Sequence, residues 1–168
     1  NTLIAGDSDH AWGEFLVERK LVDGDEFART NDRFYDDYQR GELDIDAYLS
    51  FALEPLTHFT PDQLRALHQD FMATKIAPIM LPKARALLDE HRAKGDFLLI
   101  ITATNRFVTG PIGEALGVDD LLASEPEVID GLYTGRPTGV PCFQGGKVTR
   151  LHAWLEASGH SLQNSYFY

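Results

Sequence analysis

The spacing of apolar residues divides the chain into a helical part and a part in which strands and helices alternate. Between about His10 and Pro82, apolar side chains recur at helical intervals, and a run of helices without a strand predicts a small helical bundle. The fourth helix has the strongest start signal, with Thr60 as its N-cap, Pro61 in its first turn and Gln63 completing a capping box. The four predicted helices lie around residues 12–21, 27–41 and 43–56, and from 60 onward.

After Pro82 the pattern changes to alternating helices and strands. Pro82 is expected to open a helix that Gly95 closes, and the apolar run 97–101 predicts a strand buried on both faces. Residues 102–105 are expected to form a polar turn, and a short helix follows to Gly117. The later predictions are a strand at 121–123, a β-hairpin over 128–138, a helix from 145 to 159 and a buried strand from 166. This order predicts a parallel α/β sheet, to which residues 2–4 add one more strand end.

Composition and charge fit a globular domain and narrow the range of its partners. The 168 residues suit one domain with a modest insertion. The 15 basic and 26 acidic residues give a net charge of −11, which argues against nucleic acid and anionic membranes as partners. The single cysteine, Cys142, allows no intramolecular disulfide and fits a reducing cytoplasm, the predicted location.

Three polar segments fall where an open parallel sheet binds ligands, at the carboxyl ends of its strands. They are Asn1-Thr2 with the acidic residues that follow, the stretch 102–105, and Lys147 behind two glycines at a helix start. Threonine hydroxyls and free backbone N–H groups donate hydrogen bonds to anionic oxygens, and a lysine adds a compact positive charge. The segments therefore suit a phosphoryl group, although no nucleophile or general acid stands out.

Four short motifs, in order along the chain, resemble those of the haloacid dehalogenase superfamily. Asn1-Thr2-Leu3 resembles the end of its Asp-x-Asp-x-Thr-Leu signature, and the strand that ends at Thr102 is similar to its second motif. Lys147 after two glycines is similar to the third motif, and Tyr166-Phe167-Tyr168 resembles the strand before the fourth, a pair of acidic residues. The helical insertion after the first motif resembles the cap of the phosphoserine-phosphatase-like branch.

The resemblance implies an α/β fold with a Rossmann-like parallel sheet core, formed by residues 1–9 and 83–168, and an inserted helical-bundle cap of residues 10–82. It implies a Mg²⁺-dependent phosphatase that hydrolyses a small phosphomonoester through an aspartyl-phosphate, with phosphoserine or histidinol phosphate as candidates. The signature aspartates would lie just before Asn1 and the metal-binding acids just after Tyr168. No metal ligand is therefore expected within the chain, and both ends are interpreted as cut strand ends of a longer protein.

The residues that the resemblance implies for catalysis are Thr2, Thr102 and Lys147, and those for substrate binding are Asp7, Ala103, Thr104 and Asn105. Thr2 would orient the first loop. Thr102 and the N–H groups near Ala103 would hold the phosphoryl group, and Lys147 would neutralise its charge. Asp7 lies where the phosphoserine branch places an acidic residue that meets the substrate amine.

Helix capping is a simpler role for several of these polar residues. Asp, Ser and Asn are preferred N-caps, and one residue of the stretch 7–9 is expected to cap the first helix, with Ser8 or Asp9 favoured. Thr104 and Asn105 are expected to cap the helix that follows them. Helix capping and substrate binding are therefore alternative roles for Asp7, Thr104 and Asn105.

Two further interpretations stay open at this point. Thr102 could simply end a strand and Lys147 could be an ordinary surface lysine. The whole chain could be a non-catalytic scaffold that binds a phosphorylated ligand or a protein partner. A nucleotide-binding module is disfavoured because the sequence has neither a Gly-x-Gly-x-x-Gly motif nor a Walker lysine loop.

Overall fold

A computed structural model describes residues 3–168. Within them the chain forms seven α-helices and three β-strands, with short 3₁₀ or π-helical turns between α3 and α4 and between α4 and α5. The elements are α1 (Ser8–Glu18), α2 (Gly24–Arg40), α3 (Ile45–Leu53), α4 (Pro61–Phe71), α5 (Pro82–Lys94), β1 (Leu99–Asn105), α6 (Arg106–Leu116), β2 (Asp120–Ile129), β3 (Leu132–Thr138) and α7 (Gly145–Ser158).

The predicted helix boundaries agree well with the structure wherever a local signal marks them. The Gln63 N–H donates to Thr60 Oγ1 at 3.3 Å and the Thr60 N–H donates to Gln63 Oε1 at 2.9 Å, which confirms the capping box. Gly95 closes α5 in the left-handed conformation, with φ of 80°. The third helix ends at Leu53, and Pro55 lies in the 3₁₀ turn that follows it.

The sheet combines one parallel and one antiparallel strand pair. β1 runs parallel to β2, with Leu99 opposite Asp120 and Ile101 opposite Leu122. β2 then turns back into β3 as the predicted hairpin. The α/β order of elements is as predicted, but the sheet within residues 3–168 is mixed rather than all parallel.

The predicted polar turn at residues 102–105 is wrong, because these residues continue strand β1. A register shift after Ile101 lets the strand pair again at Asn105, opposite Ser124, and α6 begins at the next residue. The start of the strand is also later than predicted, since Phe97 lies outside it and is exposed. The body of β1 is half-buried rather than buried on both faces.

The two predicted strand ends at the chain's edges are not part of this sheet. Residues 166–168 have no strand geometry, and their aromatic side chains are exposed. A strand needs a neighbour for its backbone groups, and residues 3–168 supply none there. Ile4 makes one isolated antiparallel bridge to Met80 instead of joining the sheet. Thr2 lies outside the described residues.

One hydrophobic cluster connects the helices to the α/β part. It joins Trp12 and Phe15 of α1 with Leu49 of α3, Phe71 of α4 and Val108 of α6, all of them buried. The cluster crosses the predicted division between a cap of residues 10–82 and the remaining core, and this division stays a prediction. No helix within residues 3–168 has the length and apolar character needed to cross a membrane.

Close packing of α1 against α2 brings the second helix to the wall of a large cavity. A side chain at Gly13 would place its Cβ 2.5 Å from the Asn31 side chain, so only glycine allows this approach. Asn31 Nδ2 in turn donates to the His10 carbonyl at 3.1 Å. The contact fixes Tyr35 and Tyr38 of α2 along one wall of a large cavity.

Candidate active site

A cavity of about 940 Å³ opens beside β1 and collects most of the predicted site residues. The five of them that line it are Asp7, Thr102, Ala103, Thr104 and Lys147. They come from the segment before α1, from β1 and from the first turn of α7, which are far apart in sequence. The structure thus places along one cavity residues that the sequence could associate only through the resemblance.

The end of β1 presents hydroxyl and backbone groups to this cavity. The Thr104 N–H donates to Thr102 Oγ1 at 3.2 Å, so the threonine oxygen accepts this bond while its own hydrogen can be donated elsewhere. Thr102, Ala103 and Thr104 are all half-buried. This segment can therefore offer hydrogen-bond donors to an anion without exposing them fully to water.

Gly146, directly before Lys147, is needed for the backbone to fold in this way. A Cβ at Gly146 would lie 2.0 Å from the Pro141 carbonyl oxygen, which no side chain can tolerate without a backbone shift. The Gly146 N–H instead donates to the Phe143 carbonyl at 2.8 Å. The close approach sets where α7 starts, and Lys147 follows directly in its first turn, at the cavity.

An arginine–glutamate cluster that the sequence did not reveal holds the start of α7 against the sheet. Arg150 Nη2 donates to Glu125 Oε1 at 3.2 Å, and Arg150 Nη1 donates to the Val140 carbonyl at 3.0 Å. Arg106 of α6 donates to both oxygens of Glu125, at 2.8–3.0 Å. The partners are 19 and 25 residues apart, so no local pattern could have paired them.

The N-cap of α1 is Asp7, and the preference for Ser8 or Asp9 as the cap is wrong. Asp7 Oδ1 accepts the N–H of Asp9 at 2.9 Å and the N–H of His10 at 3.0 Å. Asp7 has extended backbone angles, and the helix begins at Ser8. One Asp7 oxygen is therefore engaged in capping while the residue lines the cavity.

Asn105 has the capping role rather than a place at the cavity. Its Oδ1 accepts the N–H of Val108 at 3.2 Å, which confirms it as the N-cap of α6. Its side chain is only 1% exposed and does not belong to the cavity wall. Thr104, the other residue expected to cap, lines the cavity instead.

Asp9 is a cavity residue whose importance the sequence did not indicate. It is 8% exposed, and its Oδ1 has no hydrogen-bond partner among residues 3–168. Burial raises the pKa of Asp9 to about 7, the charge of Asp7 adds to the increase, and the hydroxyls of Tyr48 and Thr104 act in the opposite direction. In the sequence, Asp9 looks like one more polar residue before a helix.

The described residues contain no cluster of metal-ligand side chains. Within residues 3–168, no three His, Cys, Asp or Glu side chains come close enough together to hold a metal ion. No metal-dependent step is therefore assigned to residues of this chain.

Comparisons with known proteins identify the family. The model of the haloacid dehalogenase-like hydrolases matches residues 1–168. A histidinol-phosphatase from Neisseria meningitidis serogroup C (strain 8013) is 42% identical over 172 residues, which cover 100% of this chain and 78% of that protein.

Solved structures show the same relationship at the level of the fold. A protein of unknown function from Bordetella pertussis Tohama I has a TM-score of 0.87 at 40% identity, over 96% of this chain and 73% of that one. A substrate-bound phosphoserine phosphatase has a TM-score of 0.64 at 16% identity, over 96% of this chain and 70% of its own, and shows the fold alone. The predicted α/β fold class and the predicted resemblance are confirmed. The chain belongs to the haloacid dehalogenase-like hydrolase family.

Proposed function

We propose that this chain binds and positions a small phosphomonoester in a phosphatase, with histidinol phosphate as the first candidate substrate and phosphoserine as the second. The predicted enzyme class, a phosphoric monoester hydrolase, is confirmed by the family and by the 42% identical histidinol-phosphatase. The 42% identical histidinol-phosphatase supports the order of the two candidates. The observation that carries the proposal is that Thr102, Ala103 and Lys147 line one cavity.

These three residues suit the charge that develops during phosphoryl transfer. The Thr102 hydroxyl and the backbone N–H groups near Ala103 would donate hydrogen bonds to phosphoryl oxygens, and Lys147 would neutralise part of their charge. Preorganised donors and a fixed cation stabilise a transition state more than water does, because they need no reorientation as charge moves. Thr2, which lies outside the described residues, keeps its proposed role of orienting the first loop.

The resemblance also implies Mg²⁺ and an aspartyl-phosphate intermediate, and both belong to the proposal. Their carboxylates would come from residues that flank this sequence in the full-length protein. Mg²⁺ would supply further charge neutralisation for the phosphoryl oxygens. The residues of this chain contribute binding, orientation and the lysine charge.

The cavity favours a small substrate over a macromolecule. Tyr35 and Tyr38 of α2 line it opposite the sheet end, and the His10 ring lies 4.6 Å from that of Tyr35. A helical cover of this kind would exclude water from the reacting group. The net charge of −11 also disfavours a nucleic-acid substrate, and the cytoplasmic location stays a prediction.

The test measures phosphate release by the full-length protein, with and without Mg²⁺, from histidinol phosphate, phosphoserine and p-nitrophenyl phosphate. Lys147→Ala is expected to lower kcat by at least about 100-fold, because it removes a charge that stabilises the transition state. Lys83→Ala, on the exposed first turn of α5 and outside the cavity wall, is the matched control and should keep full activity. If the full-length protein releases phosphate from none of the three esters, the chain is a non-catalytic scaffold instead. If Lys147→Ala does not change kcat, Lys147 takes no part in the reaction.

A further inference from the structure

We propose that Tyr35 and Tyr38 of α2 determine specificity: their rings bind a planar aromatic ring that the alcohol part of the substrate carries. This assignment rests on the proposed phosphatase function and narrows its substrates to phosphate esters of ring-bearing alcohols. Of the two candidate substrates, histidinol phosphate carries such a ring and phosphoserine does not.

Charged and uncharged side chains are sorted along residues 31–48, which run from α2 into α3. These residues contribute eight side chains to the cavity wall, of which four are aromatic, two are aliphatic and two are amides. The same segment contains eight charged residues, and none of them belongs to the wall. An uncharged and largely aromatic wall disfavours an ionic group and suits an apolar or aromatic one.

This part of the wall leaves aromatic surface uncovered. Tyr35 and Tyr38 are three residues apart and therefore lie on the same face of α2. Tyr38 is 47% exposed although it lines the cavity, and Tyr35 is half-buried. A planar ring that stacks on these side chains removes their apolar surface from water and adds a contact between aromatic rings.

The aromatic wall is held in place before any ligand binds. The His10 ring of α1 lies 4.6 Å from the Tyr35 ring, and 2.9 Å separate His10 Nε2 from Asp32 Oδ1. Asn31 Nδ2 donates to the His10 carbonyl at 3.1 Å, so contacts between α1 and α2 fix the position of this wall. Binding a rigid ring to a preorganised wall costs little conformational entropy.

The same cavity also has a place for the phosphoryl group. Thr102, Ala103 and Lys147 supply hydrogen-bond donors and a positive charge on another part of its wall. A ring-bearing phosphomonoester has one anionic end and one aromatic end, so each end finds a part of the wall that suits its chemistry. The volume of about 940 Å³ is large enough for both ends of a small ester.

Equilibrium binding to the full-length protein tests the assignment without depending on turnover. Phenylpropylphosphonate and cyclohexylpropylphosphonate are a matched pair, because neither can be hydrolysed as an ester and they differ only in a planar aromatic or a puckered saturated ring. Calorimetry in the presence of Mg²⁺ is expected to show the phenyl compound binding at least about threefold more tightly. The double variant Tyr35→Leu and Tyr38→Leu keeps an apolar wall without the rings and is expected to abolish this preference.

The double variant Tyr35→Phe and Tyr38→Phe retains both rings and should keep the preference. Leu132→Ala is a second control that should keep it, because this change removes a similarly exposed apolar side chain outside the cavity wall. If circular dichroism shows that the double leucine variant is unfolded, Tyr38→Leu alone replaces it and should at least halve the preference.

The assignment is overturned if the unaltered protein shows no preference or binds neither phosphonate. It is also overturned if the preference survives in the leucine variant. Failure of the proposed function gives a different result: the phosphonates bind with the expected preference, but the full-length protein releases phosphate from no ester.

Discussion

The two sides of the cavity differ in the sign of their polar groups and in how deeply those groups are buried. On the donor side, formed by Thr102, Ala103 and Lys147, the glycine turn and the Arg150–Glu125 contact fix the position of the lysine. On the acidic side, formed by Asp7 and Asp9, one carboxylate oxygen is buried without a partner among residues 3–168. The donor side therefore keeps donors available at the cavity on a well-held backbone, whereas the acidic side buries an acceptor oxygen.

The largest predicted effect on stability concerns Asp9. Its folded-state pKa of about 7 exceeds its ordinary value of 3.8, so the folded chain keeps a proton that the unfolded chain releases between these values. The free energy of unfolding therefore falls as pH rises through this window. Asp9→Asn removes the buried charge and should raise the free energy of unfolding at pH 8.5 by up to about 4 kcal/mol, with a smaller gain towards pH 5.

Urea unfolding of the 168-residue chain at several pH values measures this effect. Asp44→Asn is the control, since Asp44 is an exposed N-cap of α3 and asparagine caps equally well. If Asp9→Asn raises the free energy of unfolding by the same amount at every pH, the charge of Asp9 is not the cause of the increase. If Asp9→Asn lowers the free energy of unfolding at every pH, the Asp9 carboxyl stabilises the fold. The proposed difference between the donor side and the acidic side of the cavity would then be wrong.

A second, smaller effect is expected on the donor side. Glu125→Ala leaves the guanidinium groups of Arg106 and Arg150 without their shared carboxylate. Because all three side chains are partly exposed, the expected loss is about 2 kcal/mol, below that of a fully buried pair. The start of α7 should also loosen, so kcat of the full-length protein should fall while Lys147 itself is intact.

Glu127→Ala is the control for this change, because Glu127 pairs with Arg136 on the exposed hairpin. Thermal unfolding and phosphate release are measured for both variants. If Glu125→Ala and Glu127→Ala lower kcat by the same factor, the cluster around Glu125 does not position Lys147.

The smallest predicted effect concerns the capping role of Asp7. Asp7→Ala removes the acceptor for two backbone N–H groups and should cost about 1 kcal/mol, whereas Asp7→Asn keeps the cap and should cost much less. Thermal unfolding of both variants decides this point. Equal losses for the two variants would show that the Asp7 side chain does not cap α1.

Local signals in the sequence were sufficient for most helices but not for the strand ends or the acidic side. The Thr60–Gln63 capping box and the Gly95 helix end depend on neighbours within four residues, and both were predicted. The extent of β1 depends on pairing with Ser124, 19 residues away, so residues 102–105 looked like a turn.

The same reasoning explains which site residues were missed. Asp7, Ser8 and Asp9 have similar capping preferences, and only the backbone course decides which of them caps α1. The burial of Asp9 depends on α3 and β1, which no pattern near Asp9 encodes. The role of Glu125 depends on two arginines from different helices. Thr102 and Lys147 were predicted through the resemblance; both line the cavity, and their catalytic roles stay a prediction.

The account's central claim is that segments remote in sequence bind one anion together at this cavity. Titration of the ¹⁵N-labelled 168-residue chain with inorganic phosphate, followed through backbone amide resonances, tests it most directly. The account predicts saturable shifts concentrated at Ala103–Thr104 and Gly146–Lys147, and their loss in Lys147→Ala. Shifts confined to one of these segments, or spread over unrelated surfaces, would contradict it.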